Sequence, residues 1–176
     1  MLGKVADLGV LVSVDTYHPE TAAKAIAAGA HIINCVYAEP VPEMVELLEG
    51  NDVELVIPYR KEGDFVCQRP RSEGAAGTMG GRLYLDPMIG FGTTREEDIE
   101  LLRSIPGLAK KGRVLVGASR KRIVKKLVGE KSAVGKDIGG NVAIAVWAAM
   151  NGASVVRVHD VKETVQALRV VESLGV

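Results

Sequence analysis

The sequence predicts an α/β protein of about six parallel strands, and three observations support this. Short apolar runs alternate with segments of helical spacing, the pattern of repeated βαβ units. The chain is 47% hydrophobic but only 4% aromatic, so its core is built from Val, Leu, Ile and Ala, which suits a parallel sheet buried on both faces. The runs also end on polar residues suited to chemistry: Asp15, Asn34, Pro58-Tyr59-Arg60, Asp86, Ser119-Arg120-Lys121 and His159-Asp160. Parallel β/α folds place their sites at the C-terminal ends of strands. Six such endings in order point to one site assembled from many strands.

The first strand runs from Val10 to Asp15. The helix after it has Pro19 near its first turn and Gly29 beyond its end, the usual asymmetry of helix termini. A second strand spans His31 to Asn34, and its helix, about Pro42 to Glu49, is closed by Gly50. The third strand is Val53 to Pro58. Residues 60–82 are rich in glycine and basic residues and carry little periodicity, so they read as a flexible loop, either a mobile flap or a unit that has lost its helix. Alternation resumes with a strand from Arg82 to Asp86. Thr94-Arg95-Glu96-Glu97 matches a capping box and opens a helix to about Ser104. Arg113 to Ser119 is the fifth strand. Helical sequence follows over Arg120 to Val128 and again over about Gly140 to Met150. Gly152 precedes the sixth strand, Ser154 to His159, and the final helix, Lys162 to Leu174, carries an apolar stripe at Val165, Leu168, Val171 and Leu174. A closed (β/α)8 barrel needs eight strands and about 250 residues, so this chain reads as short of one by about two βα units.

At 176 residues the chain fits one domain, 1–176. Its 22 basic and 22 acidic residues cancel, leaving no global charge to attract nucleic acid or an acidic membrane. No apolar stretch approaches the roughly 20 residues of a bilayer span, and the start has no signal-peptide core. Two cysteines, Cys35 and Cys67, have neither metal spacing nor the number for a disulfide framework. The expected compartment is the cytoplasm.

Strand alternation decides which side chains share a face. Ser13 and Asp15 point one way and Val12 and Val14 the other; Arg157 and His159 are paired in the same sense. With the polar set facing inward, Asp15, Asn34, Asp86, Lys121, Arg157 and His159 converge on one cavity. A carboxylate accepts paired N–H donors and an Asn both donates and accepts, so this set suits a flat heterocycle with an amidine-like edge. Lys, Arg and His supply positive charge for an anion. Arg120, Lys121 and Arg122 stand at a predicted helix start, where cations oppose the helix dipole; a local rule broken three times hints at function. The competing readings are plainer. Asp15 and Asp86 would cap turns, the basic run would be a solvated patch, His31 and His18 would be structural, and three scattered histidines make no metal motif.

Several segments together resemble the dihydropteroate synthases of the pterin-binding TIM-barrel family: Ser13-Val14-Asp15-Thr16-Tyr17, Ala30-His31-Ile32-Ile33-Asn34, Leu85-Asp86-Pro87 with Ile89-Gly90-Phe91-Gly92, Ser119-Arg120-Lys121, and Val156-Arg157-Val158-His159-Asp160-Val161. They occur in the family's order along nearly the whole chain. The resemblance implies a partial (β/α)8 TIM-type barrel and the joining of 6-hydroxymethyl-dihydropterin pyrophosphate to p-aminobenzoate in folate biosynthesis. By the same resemblance Asp15, Asn34, Asp86 and Lys121 contact the pterin, Arg157 and His159 hold pyrophosphate, and Ser119 lines the p-aminobenzoate side. Lys121, Arg157 and His159 carry the catalytic roles. Mg²⁺ is implied too, with its protein ligand in two N-terminal βα units that have no counterpart here. The chain departs from the family's pattern at Cys35 (usually Asp), Met88 (usually Gly) and Thr93 (often Lys). The implied partners are the two small molecules, with no nucleic acid and no membrane. Unpaired sheet edges lead to the expectation of a homo-oligomer, or of a partner chain completing the barrel, and of slow or absent catalysis by the chain alone. The alternatives are a noncatalytic pterin-binding remnant or split-barrel subunit, and a pterin-dependent methyltransferase relative.

Overall fold

The structure, a computed structural model, describes residues 5, 9–35, 42–59, 80–129 and 137–175. It divides into two compact units, residues 1–86 and 87–176. Six parallel strands run through the two, four in the first and two in the second.

In the first unit the order is β1 (Ser13–Asp15), α1 (Pro19–Ala27), β2 (Ile32–Asn34), α2 (Pro42–Glu49), β3 (Glu54–Pro58), a 3₁₀ turn (Gly80–Arg82) and β4 (Leu83–Asp86). Each strand pairs with the next in parallel, β1 with β2, β2 with β3 and β3 with β4. Strands laid down in sequence order, with no reversal, are the winding of a barrel wall rather than of a doubly wound sheet. Ile33, Leu55, Val56 and Ile57 are buried on the strands, with Ala22, Met44 and Leu48 buried on the helices. Each large apolar side chain removed from water contributes about 1.5–3 kcal/mol, which holds elements of only three to nine residues in place. The expected loop 60–82 lies outside the described residues except for 80–82, which form the turn into β4. The Arg82 guanidinium donates to the Asn51 carbonyl at 2.7 Å and anchors that turn.

The second unit contains α3 (Arg95–Arg103), α4 (Ile105–Ala109), β5 (Arg113–Val116), α5 (Arg122–Val128), α6 (Ile138–Met150), β6 (Val155–Val156) and α7 (Val161–Ser173). β5 and β6 pair in parallel. The capping box opens α3 as expected: the Thr94 side chain accepts from the Glu97 N–H, and the Glu97 carboxylate accepts from the Thr94 N–H. Other boundaries move. The last two strands are shorter than the sequence suggests: β5 ends at Val116 and β6 at Val156, with the Arg157 N–H still donating to the Val116 carbonyl. The helix expected from Arg120 begins at Arg122, with Lys121 as its N-cap. α4 was not expected; Pro106 and Gly107 argue against a helix, but buried Ile105 and Leu108 hold it. Among the described residues no helix is long and apolar enough to cross a membrane.

Candidate active site

The parallel register sets the site residues of the first unit. Asp15 lies opposite Asn34, Asn34 opposite Val56, Val56 opposite Tyr84, and Pro58 opposite Asp86. Neighbours in register share a face, and so do residues two apart on one strand. Asp15, Asn34 and Asp86 therefore stand on one face at the C-terminal ends of β1, β2 and β4. Farther back on that face, the Tyr84 hydroxyl donates to the Glu54 carboxylate at 3.0 Å. The Asn34 amide donates to Asp15 Oδ1 at 2.9 Å, which fixes the amide's orientation. Asn34 is only 2% exposed, and among the described residues its buried Oδ1 has no hydrogen-bond partner. Leaving such an acceptor unsatisfied costs about 1–3 kcal/mol, and native proteins rarely tolerate that without a use for the atom. Asp86 is also buried, and its carbonyl accepts from the Tyr59 N–H at 2.7 Å. Cys35, next to Asn34, is fully buried. His31 serves the fold, since its Nδ1 accepts from the Val12 N–H at 3.1 Å and ties the entry of β1 to β2. His18 is the N-cap of α1, makes no side-chain cap, and its ring lies tilted against that of Tyr17, 4.1 Å between centres.

In the second unit two loops carry the remaining residues. One, residues 88–93, follows the Asp-Pro. Met88 has φ +61°, Gly90 +77° and Gly92 +67°, a series of left-handed backbones. The φ at Met88 is one that favours glycine, and the Met side chain is buried. Asp98, 2% exposed in the first turn of α3, holds the loop by accepting from the Gly90 N–H at 2.7 Å and the Thr93 hydroxyl at 2.6 Å. Lys121 closes over the loop. Its ammonium donates to the Ile89 carbonyl and lies 4.2 Å from the centre of the Phe91 ring. A Cβ on Gly90 would stand 2.9 Å from the Lys121 Cδ, so only glycine admits this approach.

The other constellation joins the ends of β5 and β6. The Ser119 hydroxyl meets His159 twice, accepting from its N–H at 3.3 Å and lying 3.1 Å from its Nδ1. The Arg157 N–H donates to the Val116 carbonyl at 2.8 Å, and the side chains of Arg157 and His159 are exposed. The Arg120 guanidinium donates to Asp160 at 2.8 Å. That hydrogen bond holds the Asp160 carboxyl below its ordinary range; partial desolvation opposes it, and the charge of Arg120, the Asn141 amide and His159 add to the lowering. A lowered carboxyl stabilises the fold above its unfolded value, about 3.9, and that contribution is lost as pH falls through the lower folded value. We therefore expect Asp160→Asn to lower the urea midpoint at pH 5. The gap to wild type should narrow as acid protonates Asp160. A gap unchanged down to pH 2 contradicts the assigned pairing.

The sequence placed these residues at one site. The structure describes Asp15, Asn34 and Asp86 in the first unit and Ser119, Lys121, Arg157 and His159 in the second. Two polar residues were missed. Asp98 sits in an acidic first turn that reads as a solvated helix start. Asn141 is the lone amide in an otherwise apolar helix, and that isolation was its signal.

The sequence profile of the pterin binding enzyme family matches residues 1–159. The dihydropteroate synthase of Streptococcus pyogenes serotype M6 is 31% identical over 178 residues, covering 94% of this chain and 67% of its own. That of Neisseria meningitidis serogroup C is 35% identical over 198 residues, covering all of this chain and 70% of its own. The dihydropteroate synthase of Thermus thermophilus has been solved in complex with 6HMPPP. It superposes with a TM-score of 0.86 at 33% identity, over 99% of this chain and 76% of that one. A second structure from the same organism, in complex with 4-aminobenzoate, gives 0.85. The α/β fold with six parallel strands is thus that of the dihydropteroate synthase barrel. This chain belongs to the pterin binding enzyme family.

Proposed function

We propose that the chain is a dihydropteroate synthase-type transferase of folate biosynthesis, with residues 1–176 acting as a single pterin-binding domain. The observation that carries the reading is the buried Oδ1 of Asn34, which has no partner among the described residues. Its amide is oriented by Asp15 and shares a face with Asp86, so it offers an acceptor to a ring N–H. A pterin supplies donors of that kind: the Asp86 carboxylate takes the paired N–H edge, and Asn34 takes a further ring N–H. Lys121, the N-cap of α5 whose ammonium reaches the Ile89 carbonyl, is proposed as the fourth pterin contact.

The reaction is a substitution at the pterin methylene. The C–O bond to pyrophosphate breaks, the amine nitrogen of p-aminobenzoate forms the new C–N bond, and that nitrogen gives up a proton. Charge develops on the leaving oxygen, so fixed donors aimed there lower the barrier. Arg157 and His159 supply them, and Ser119 lines the p-aminobenzoate side. Among the described residues no three His, Cys, Asp or Glu side chains gather to hold a metal. No step here runs through the Mg²⁺ that the resemblance implies.

The composition, with two cysteines and no disulfide framework, supports a cytoplasmic setting. Self-association, or docking of a partner chain, is supported by the entry to β1, where Val10 is 55% and Leu11 69% exposed beside a strand edge. A monodisperse monomer in light scattering contradicts that part.

The test of function is an assay with 6-hydroxymethyl-dihydropterin pyrophosphate and p-aminobenzoate, following dihydropteroate and released pyrophosphate. The synthase reading expects both products in equal amounts. Binding of pterin and pyrophosphate with no product supports the noncatalytic pterin-binding reading instead.

A further inference from the structure

Asn141 is a polar residue in an apolar helix, and the chemistry proposed above does not use it. It sits in the first turn of α6 and is 3% exposed. A Cβ on neighbouring Gly140 would overlap the side chain of Val128, so the glycine lets α6 lie tight against α5. From there the Asn141 amide works at both ends. Its Oδ1 accepts from the Arg120 N–H at 2.8 Å, and its Nδ2 donates to Asp160 Oδ2 at 3.2 Å. Arg120 has φ +60°, a left-handed backbone that a residue with a side chain keeps only when its surroundings impose it. Asp160 in turn takes the Arg120 guanidinium. Immediately beside this knot, Ser119 meets His159. One buried amide therefore ties the turn at 119–121 to the turn at 159–160.

We infer that Asn141 is a positioning residue. It holds Arg120 in the left-handed turn and thereby sets Ser119 against His159. Its consequence for anion binding rests on the functional reading above; its geometric part does not. A glycine at 120 adopts φ +60° without strain, so the need for Asn141 should shrink when Arg120 is replaced by glycine. A residue that only fills space would show no such dependence.

The experiment compares wild type, Asn141→Ala, Arg120→Gly and the double variant Arg120→Gly/Asn141→Ala. The ring-nitrogen NMR signals of His159 report its contact with Ser119. Calorimetry with pyrophosphate reports anion affinity. Asn141→Ala should move the His159 signals and weaken pyrophosphate binding about tenfold or more, the usual scale for outer residues that orient a site. The double variant should return both toward wild type. Signals unmoved in Asn141→Ala, or a double variant no closer to wild type, overturn the inference. Should Asn141→Ala fail to fold, a folded double variant supports it and an unfolded one overturns it. A wild-type chain with no affinity for pyrophosphate refutes the anion-binding function, while the His159 signals still decide the positioning role.

Discussion

Asp86→Ala abolishes dihydropterin binding and leaves the chain folded. Asp86 is buried at the end of β4, where its carboxylate is proposed to take two ring N–H groups. Removing one partner of a buried, charge-assisted pair costs about 2–5 kcal/mol, or roughly 30- to 4000-fold in affinity at about 1.4 kcal/mol per tenfold. Asp86→Asn keeps the shape but turns an NH₂ toward a donor, so it should lose nearly as much. Titration calorimetry with a dihydropterin reads both. Equal heats from Asp86→Ala and wild type would place the heterocycle elsewhere.

Arg157→Ala removes the thermal stabilisation given by pyrophosphate. A ligand that binds only the native state stabilises it by RT ln(1 + [L]/Kd), about 2.7 kcal/mol at a hundredfold excess over Kd. For a chain of this size that is a rise of about 5–10 °C in Tm, at 2–4 °C per kcal/mol. Arg157 is exposed at the end of β6 beside Gly117, where a Cβ would lie 3.8 Å from its own. Its guanidinium carries a charge at every accessible pH. Scanning calorimetry with and without pyrophosphate should show the rise in wild type and little in the variant. An undiminished rise in Arg157→Ala would put the anion on other residues.

Much of this architecture was legible because it is written in local patterns. Runs such as Leu55 to Ile57 and Val114 to Val116 are apolar and rich in β-branched residues, and Gly, Pro or charged residues stand beside them, so strand identity follows from neighbours alone. The capping box at Thr94 and Glu97 is likewise a relation across three residues. Asp15, Asn34 and Asp86 could be placed at strand ends on one face because strand alternation and strand ends are both countable.

What was not legible depends on partners distant in sequence. Asn141 meets Arg120 across 21 residues and Asp160 across 19, and nothing in the periodicity of α6 announces either. Ser119 and His159 are 40 apart. The left-handed backbone at Arg120 leaves no mark in an arginine, where a glycine would have signalled it. Asp98 stands beside Glu96 and Glu97 in an acidic first turn that gives no sign of its burial; that comes from the loop it holds. α4 was missed because packing of Ile105 and Leu108 overrides two helix breakers, a tertiary effect that propensity cannot report.

The central claim is that Asn34 Oδ1 and the Asp86 carboxylate receive the N–H groups of a pterin. A crystal structure of the chain grown with a dihydropterin tests it most directly. The account predicts a ring N–H donating to Asn34 Oδ1, with the amide still donating to Asp15, and the paired N–H edge on Asp86. A heterocycle bound elsewhere, with Asn34 Oδ1 still unpartnered, or crystals that take up no pterin, would contradict it.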